Sequence, residues 1–241
     1  MLIPIEKDPL GKAALDFFLG KRDIQIRVIC DKDEDDWVPV SYFFRSLAEM
    51  PELEKKALIS CRRKILDIGA GVGPHAIVLQ ELGFDVTACE VSQNCIKIME
   101  DRGVERVLLK DVSKIEEKKF DTLLMLMNGI GIVGDLNGLD KFLNHAKILL
   151  KKKGQILLDS SDVIDLFSQE DGSVYLDLKK KYYGELIYQM EYDGMKSNKF
   201  KWLFIDFQTL RSHAQIQGFD CEMIFEDVEN NSYLAKLELG K

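Results

Sequence analysis

The chain is short of histidine, proline and cysteine, has no long apolar run and carries no excess of positive charge. Each shortage excludes something. The cysteines, Cys30, Cys61, Cys89, Cys95 and Cys221, are odd in number and form no C-x-x-C pair. A disulfide framework is therefore not expected, and reduced thiols in a cytoplasmic protein are. The opening MLIPIEKDPL has neither the basic nor the apolar region of a secretory signal. The best apolar stretch, Leu123–Val133, is interrupted by Asn128 and two glycines, so no bilayer span or membrane partner is expected. No metal site is expected either. Cys89 and Cys95 have no histidine near them, and the acidic run Asp31–Asp36 lacks the ligand offsets of a calcium loop. The 33 basic residues are outnumbered by 41 acidic ones, for a net charge of −8. The basic runs Arg62–Lys64, Lys151–Lys153 and Lys179–Lys181 are short and read as element ends or solvated faces. General nucleic-acid binding, which needs clustered Lys and Arg, is disfavoured.

The run Ile65-Leu66-Asp67-Ile68-Gly69-Ala70-Gly71-Val72-Gly73-Pro74-His75 is present and informative. It reads as a buried strand, a glycine turn and a helix start. Glycines in such a turn let backbone approach a nucleotide-like ligand closely. A dinucleotide fingerprint, G-x-G-x-x-G, would put its third glycine at residue 74, which is Pro74. The glycine comes one residue early, at Gly73, and Pro74 suits the first helical position. Asp67, just before the turn, would repel a pyrophosphate but suits a zwitterionic or cationic ligand.

The rest of the chain alternates strands with helices. Helices are expected over 9–20, 39–50 and 51–60, the last with Pro51 at its first position. Others start at Pro74 and end at Gly83, run over 93–102 with Ser92 as cap, and run over 136–152. In that last helix Lys151–Lys153 favour the negative C-terminal end and Gly154 terminates it. Ile24–Cys30 alternates and is β-branched, so a strand or extended arm is expected there. Core strands are expected at Phe84–Glu90, Val104–Val112, Phe120–Met127 and Gly154–Asp159. This β-α-β order implies a doubly wound α/β fold with a mostly parallel sheet and ligands at the carboxyl ends of its strands. Asp67, Gly69, Glu90, Asp111 and Asn128 fall at or near such ends.

LDIGAGVGPH resembles the first motif of the class I S-adenosylmethionine-dependent methyltransferases, and the resemblance covers most of residues 52 to 241. It is closest in character to the bacterial small-molecule type. It implies a Rossmann-like, seven-stranded sheet and S-adenosylmethionine as cofactor. It also implies that Glu90, with Val91, holds the ribose hydroxyls and that Asp111, with Val112, meets the adenine. By the same resemblance Asp67 lies near the methionine end and Gly69, Ala70, Gly71, Gly73 and His75 form the cofactor loop. His75 also reads as a packing residue at the helix end. Asn128 stands where nucleic-acid amino methyltransferases carry an N-P-P-Y-like motif, but the sequence there is N-G-I-G, which leaves it a cofactor-binding role as a backbone turn beside the methionine moiety.

One domain is expected over 1–241. Residues 1–63 form a helical cap and a helix leading inward, 64–160 the cofactor-binding core, 161–206 a cap hairpin inserted after the fifth core strand, and 207–241 the last helix and an antiparallel hairpin. Tyr42, Arg45, Tyr182, Tyr183 and Trp202, in the two cap segments, are candidate acceptor contacts. No catalytic base stands out, and oligomeric state is open. The reading is methyl transfer to a small-molecule acceptor. Its rivals are a nicotinamide-type oxidoreductase, a silent binding module, and an RNA or protein methyltransferase.

Overall fold

Leu123, Leu124 and Met125 form one unbroken apolar run, and Ile156, Leu157 and Leu158 another; all six are fully buried. Strands apolar on both faces need helices on both sides, which a parallel sheet with crossover connections supplies. The computed structural model, which describes residues 1–116, 120–168, 171, 173–174 and 181–240, has this architecture. Lys179 and Lys180, and parts of the 161–206 insertion, lie outside the described residues.

In chain order the elements are α1 (Pro9–Phe18), β1 (Gln25–Cys30), β2 (Asp36–Pro39), α2 (Glu52–Ser60), β3 (Lys64–Ile68), α3 (Pro74–Glu81), β4 (Asp85–Glu90) and α4 (Gln93–Asp101). There follow β5 (Val107–Leu109), β6 (Phe120–Met125), α5 (Leu136–Leu149), β7 (Leu150–Ser161) and β8 (Glu185–Tyr192). The last are β9 (Met195–Lys196), β10 (Phe200–Leu203), α6 (Phe207–Ile216), β11 (Phe219–Asp227) and β12 (Ser232–Leu239).

The seven-stranded sheet has the order β11-β12-β7-β6-β3-β4-β5. β3 pairs in parallel with β4 and β6, as do β4 with β5 and β6 with β7. β12 and β11 close one edge antiparallel. The chain runs outward from β3 to β5, then returns to the other side of β3, so the topological switch lies between β3 and β6. One apolar core, including Leu143, Leu149 and Leu210, fills the α5 and α6 face. Another, including Leu58, Leu79 and Met99, fills the α2, α3 and α4 face. Each such side chain stabilises the fold by about 1.5–3 kcal/mol on burial.

The caps agree with the chemistry of their residues. Ser92 Oγ accepts from the Cys95 N–H at 3.1 Å, Asp135 from Gly138 at 2.8 Å and Asp206 from Thr209 at 2.9 Å. Gly73, at φ 80°, precedes Pro74 at the first position of α3.

The strand expected within 24–30 is present as β1, and the cap adds β2. Both join the insertion in a second, antiparallel sheet, β10-β8-β1-β2, with β9 on β8. Val28 faces Met190 across 162 residues of chain. The inserted hairpin is present as β8 and β10, joined around β9.

Three local expectations change. Residues 39–50 form two short 3₁₀ turns, Val40–Phe44 and Leu47–Glu49, not a helix. Arg45 is extended between them, and Ser46 with Glu49 makes a capping box that starts a new turn. Pro51 occupies the N-cap of α2 rather than its first position. Helix α5 ends at Leu149, and Lys151–Lys153 belong to β7. Lys151 reaches Asp121 at 2.8 Å on the neighbouring strand rather than the helix end.

Candidate active site

The turn after β3 is built by backbone. The N–H groups of Gly69 and Ala70 donate to the Cys89 carbonyl at 2.9 and 3.1 Å, folding the turn over the tip of β4. Gly69 (φ 71°) and Gly71 (φ 55°) are left-handed, and a Cβ on either would meet nothing within 4 Å. Their open side is where a ligand can touch backbone. Gly73 differs: a Cβ there would meet Met99 at 3.0 Å and Val104 at 3.1 Å, so this glycine serves packing.

Glu90 ends β4 beside this turn. Its carboxylate accepts from Gly71 N–H at 2.9 Å, Val91 N–H at 2.6 Å and Ser92 N–H at 3.0 Å. Burial pushes its carboxyl up, against these three donors. Asp111 follows β5 and accepts from Ser113 N–H at 2.9 Å and from the Met1 amino group. Burial raises its carboxyl, but those partners outweigh it and hold the group at about 2. The N-terminal strap crosses here, with Ile3 N–H donating to the Val91 carbonyl at 3.1 Å. Val112 next to Asp111 gives its carbonyl to His145 at 3.0 Å.

Asp67 is buried to 2% exposure, and its Oδ2 is an orphan acceptor among the described residues. Burial, partly offset by His75, pushes its carboxyl up to about 6. His75 is itself buried and meets Glu54 Oε2 at 2.8 Å. The other oxygen of Glu54 takes Arg45 Nη2 at 2.6 Å. Burial pushes Glu54 up, but His75 and Arg45 outweigh it and hold its carboxyl below the ordinary value. Among the described residues Arg45 keeps two orphans, Nε and Nη1, although only 8% exposed. Tyr42 stacks on its guanidinium, 3.6 Å from charge to ring centre.

On the other side of the switch, Met127 (φ 63°) and Asn128 (φ 52°) turn the chain left-handed after β6. Asn128 N–H lies 3.0 Å from both oxygens of Asp159 at the end of β7. Its side chain accepts from Ser160 Oγ at 2.8 Å and donates to the Leu203 carbonyl at 3.3 Å, tying core to cap. The cap is fixed there in two more places. Ile205 N–H donates to Ser160 Oγ at 3.0 Å, and Trp202 lies against Gly131. Tyr182 donates to Asp206 and Tyr183 to Asp162, both at 2.7 Å.

The five acceptor candidates are thus split. Arg45 and Tyr42 join the glycine-turn side, whereas Tyr182, Tyr183 and Trp202 join the β6–β7 side. Two buried or half-buried acids were missed. Glu54 lies three and four residues from buried Ala57 and Leu58, which put it on the inner face of α2. Asp159 closes an apolar strand, the same signal that singled out Glu90. A cavity of about 360 Å³ lies elsewhere, on the cap sheet among Arg27, Trp37 and Tyr192.

The residues fit a zwitterionic nucleoside: an orphan carboxylate oxygen and orphan guanidinium N–H groups near one end, Glu90 in the middle and Asp111 at the other end. Known proteins point the same way. Residues 41–221 match a family model described as a methyltransferase domain. The structure is similar to a SAM-dependent methyltransferase from Bacteroides fragilis in complex with S-adenosyl-L-homocysteine, at 41% identity and TM-score 0.93, covering 100% of this chain and 98% of that one. It resembles in fold the CcbJ methyltransferase of Streptomyces caelestis, at 14% identity and TM-score 0.62, over 80% and 91% of the two chains. The same holds for the sugar N-methyltransferase KedS8 of a Streptoalloteichus species, at 13% identity and TM-score 0.56, over 83% and 92%. No curated protein sequence matches the chain.

Proposed function

The chain belongs to the S-adenosylmethionine-dependent methyltransferases, and we propose that its acceptor is a small molecule held under the cap. The observation that carries this is the triple fastening of residues 202–205 onto the tips of β6 and β7. A roof fixed so close to the strand ends suits a compact acceptor and would obstruct a folded macromolecule.

The cofactor supplies an electrophilic methyl group on a sulfonium. In this reading Glu90, with Val91, takes the ribose hydroxyls. Its carboxylate is already oriented by three backbone N–H groups and has acceptor capacity left. Asp111 and Val112 take the adenine edge, and Gly69–Gly71 give the backbone approach. Asp67 takes the ammonium of the methionine tail through its orphan oxygen, and Arg45 takes the tail carboxylate through Nε and Nη1. Arg45 therefore moves from acceptor contact to cofactor contact, and His75 orients Glu54, which orients Arg45. Asn128 serves as a backbone turn. The cap excludes water from the transfer. All five cysteines are unpaired, which supports a reducing compartment.

Calorimetry with S-adenosylhomocysteine tests the cofactor site: binding is expected, with none for NAD. Methyl-labelled cofactor added to cell extract tests the acceptor. Label should stay in the small-molecule fraction after nuclease and protease treatment. Label in RNA or protein would overturn the small-molecule reading.

A further inference from the structure

Apart from Arg45 in the cap, the residues assigned to the cofactor come from the tips of β3 and β4 and the turns after β3 and β5, on one side of the switch. The tips of β6 and β7, on the other side, are left for the acceptor, and Asp159 stands there. It ends the run Ile156–Leu158 and stays half-buried, with part of its surface open, whereas Asp67 is closed off. It is also a built position. Two consecutive non-glycine residues, Met127 and Asn128, are left-handed, and this aims the Asn128 N–H at both of its oxygens. Such strain persists where surrounding structure fixes it, and Ser160 and Leu203 fix Asn128.

We propose that Asp159 holds an amine acceptor at the tips of β6 and β7 and takes its proton before methyl transfer.

This rests on the small-molecule reading above. One N–H shared by two oxygens leaves most acceptor sites of the carboxylate unused. His75, which faces it, is engaged by Glu54. The groups facing it are Glu54 on α2, His75 on α3 and Tyr233 on β12, which also faces Asp206 and Tyr182. This surrounding lacks a free cation among the described residues, so an ammonium completes it and a carboxylate acceptor is repelled. Burial and Glu54 push the Asp159 carboxyl up to about 7, against the Asn128 N–H and His75. A base near neutrality suits an alkylammonium far better than an ordinary carboxylate does. The balance is simple. An N–H bond of the acceptor ammonium breaks, and its proton goes to Asp159, giving a carboxylic acid and a free amine. The nitrogen lone pair then forms the N–C bond while the methyl C–S bond breaks and its electrons stay on sulfur. The product is a methylated ammonium and a neutral thioether, and Asp159 returns its proton to solvent.

The test uses the full chain, S-adenosyl[methyl-¹³C]methionine and the small-molecule fraction of a cell extract. The carbon shift of the transferred methyl distinguishes nitrogen from oxygen, sulfur and carbon. An N-methyl product is expected. Asp159→Asn should bind S-adenosylhomocysteine as wild type does and transfer methyl about 10²- to 10⁴-fold more slowly. It should also lose the wild-type rise in rate up to about pH 7. Carboxyl ¹³C titration of the protein saturated with S-adenosylhomocysteine gives a readout without turnover. One aspartate signal should titrate near neutrality and vanish in Asp159→Asn. An O-, S- or C-methyl product, an unchanged pH profile, or an Asp159 signal titrating in the usual carboxylate range would overturn the proposal. Label on macromolecules, by contrast, would overturn the small-molecule reading itself.

Discussion

His75 Nε2 lies 2.8 Å from Glu54 Oε2, and this contact joins α3 to α2 beneath the glycine turn. Glu54 also takes Arg45, so one carboxylate holds two side chains from other parts of the chain, all three at most 8% exposed. The apolar cores hold the sheet and helices together; this triad sets where Arg45 points.

Removing one member of a buried ionic group leaves the others uncompensated. Glu54→Gln is expected to lose about 3–5 kcal/mol of stability, measured by urea unfolding. Its folded pKa is depressed, so its contribution is present above the unfolded value and lost as pH falls through the folded one. Wild type should therefore lose stability relative to Glu54→Gln as the medium is acidified below the ordinary glutamate range. A constant difference across that range would remove the triad as its cause.

Asp67 has the opposite sign. Its folded pKa is raised to about 6, so the folded state is favoured at low pH and that advantage fades as pH rises through 6. Asp67→Asn should gain on wild type by about 2–3 kcal/mol between pH 4 and pH 7 without ligand. The same variant should bind S-adenosylhomocysteine more weakly. Parallel stability curves for the two proteins would contradict the burial of a charged Asp67.

Glu90→Ala is expected to weaken S-adenosylhomocysteine binding by roughly 1–3 kcal/mol, since the ribose hydroxyls lose a charged partner. Isothermal calorimetry on the folded variant checks it. Unchanged affinity would take Glu90 out of the site.

The glycines should separate by role. Gly71→Ala and Gly73→Ala both force a left-handed residue, at about 1–2 kcal/mol. Only at Gly73 does the new Cβ also press on Met99 and Val104. Gly73→Ala is therefore expected to be the less stable, and Gly71→Ala to lose more cofactor affinity for its stability loss. Thermal unfolding with and without S-adenosylhomocysteine reads both.

Gly131→Ala would set a Cβ 2.1 Å from the Trp202 indole nitrogen. The ring must move, at about 1–3 kcal/mol, and the cap should loosen from β6. Tryptophan fluorescence should shift; an unchanged spectrum would mean that the cap is not seated on Gly131.

Local pattern settled a good deal of this molecule. The glycine spacing with Pro74, the acid ending Phe84–Glu90, the apolar runs of β6 and β7 and the caps at Ser92 and Gly73 are short-range signals. They give the doubly wound sheet and the cofactor family because strand burial and turn geometry depend on neighbours a few residues apart. What lay beyond them is long-range. That Gln25–Cys30 pairs with Glu185–Tyr192 depends on backbone hydrogen bonds that any two extended segments can make, so no residue announces the partner. The end of α5 at Leu149 and the break between the two 3₁₀ turns at Arg45 were set by Leu150 joining the sheet and by Arg45 turning inward, again tertiary demands overriding local propensity. The inward acids Glu54 and Asp159 carried a faint signal in their spacing. Their meaning came only when Arg45, His75 and Asn128, from three other parts of the chain, closed around them, because the energy of a buried charge is decided by what surrounds it in space.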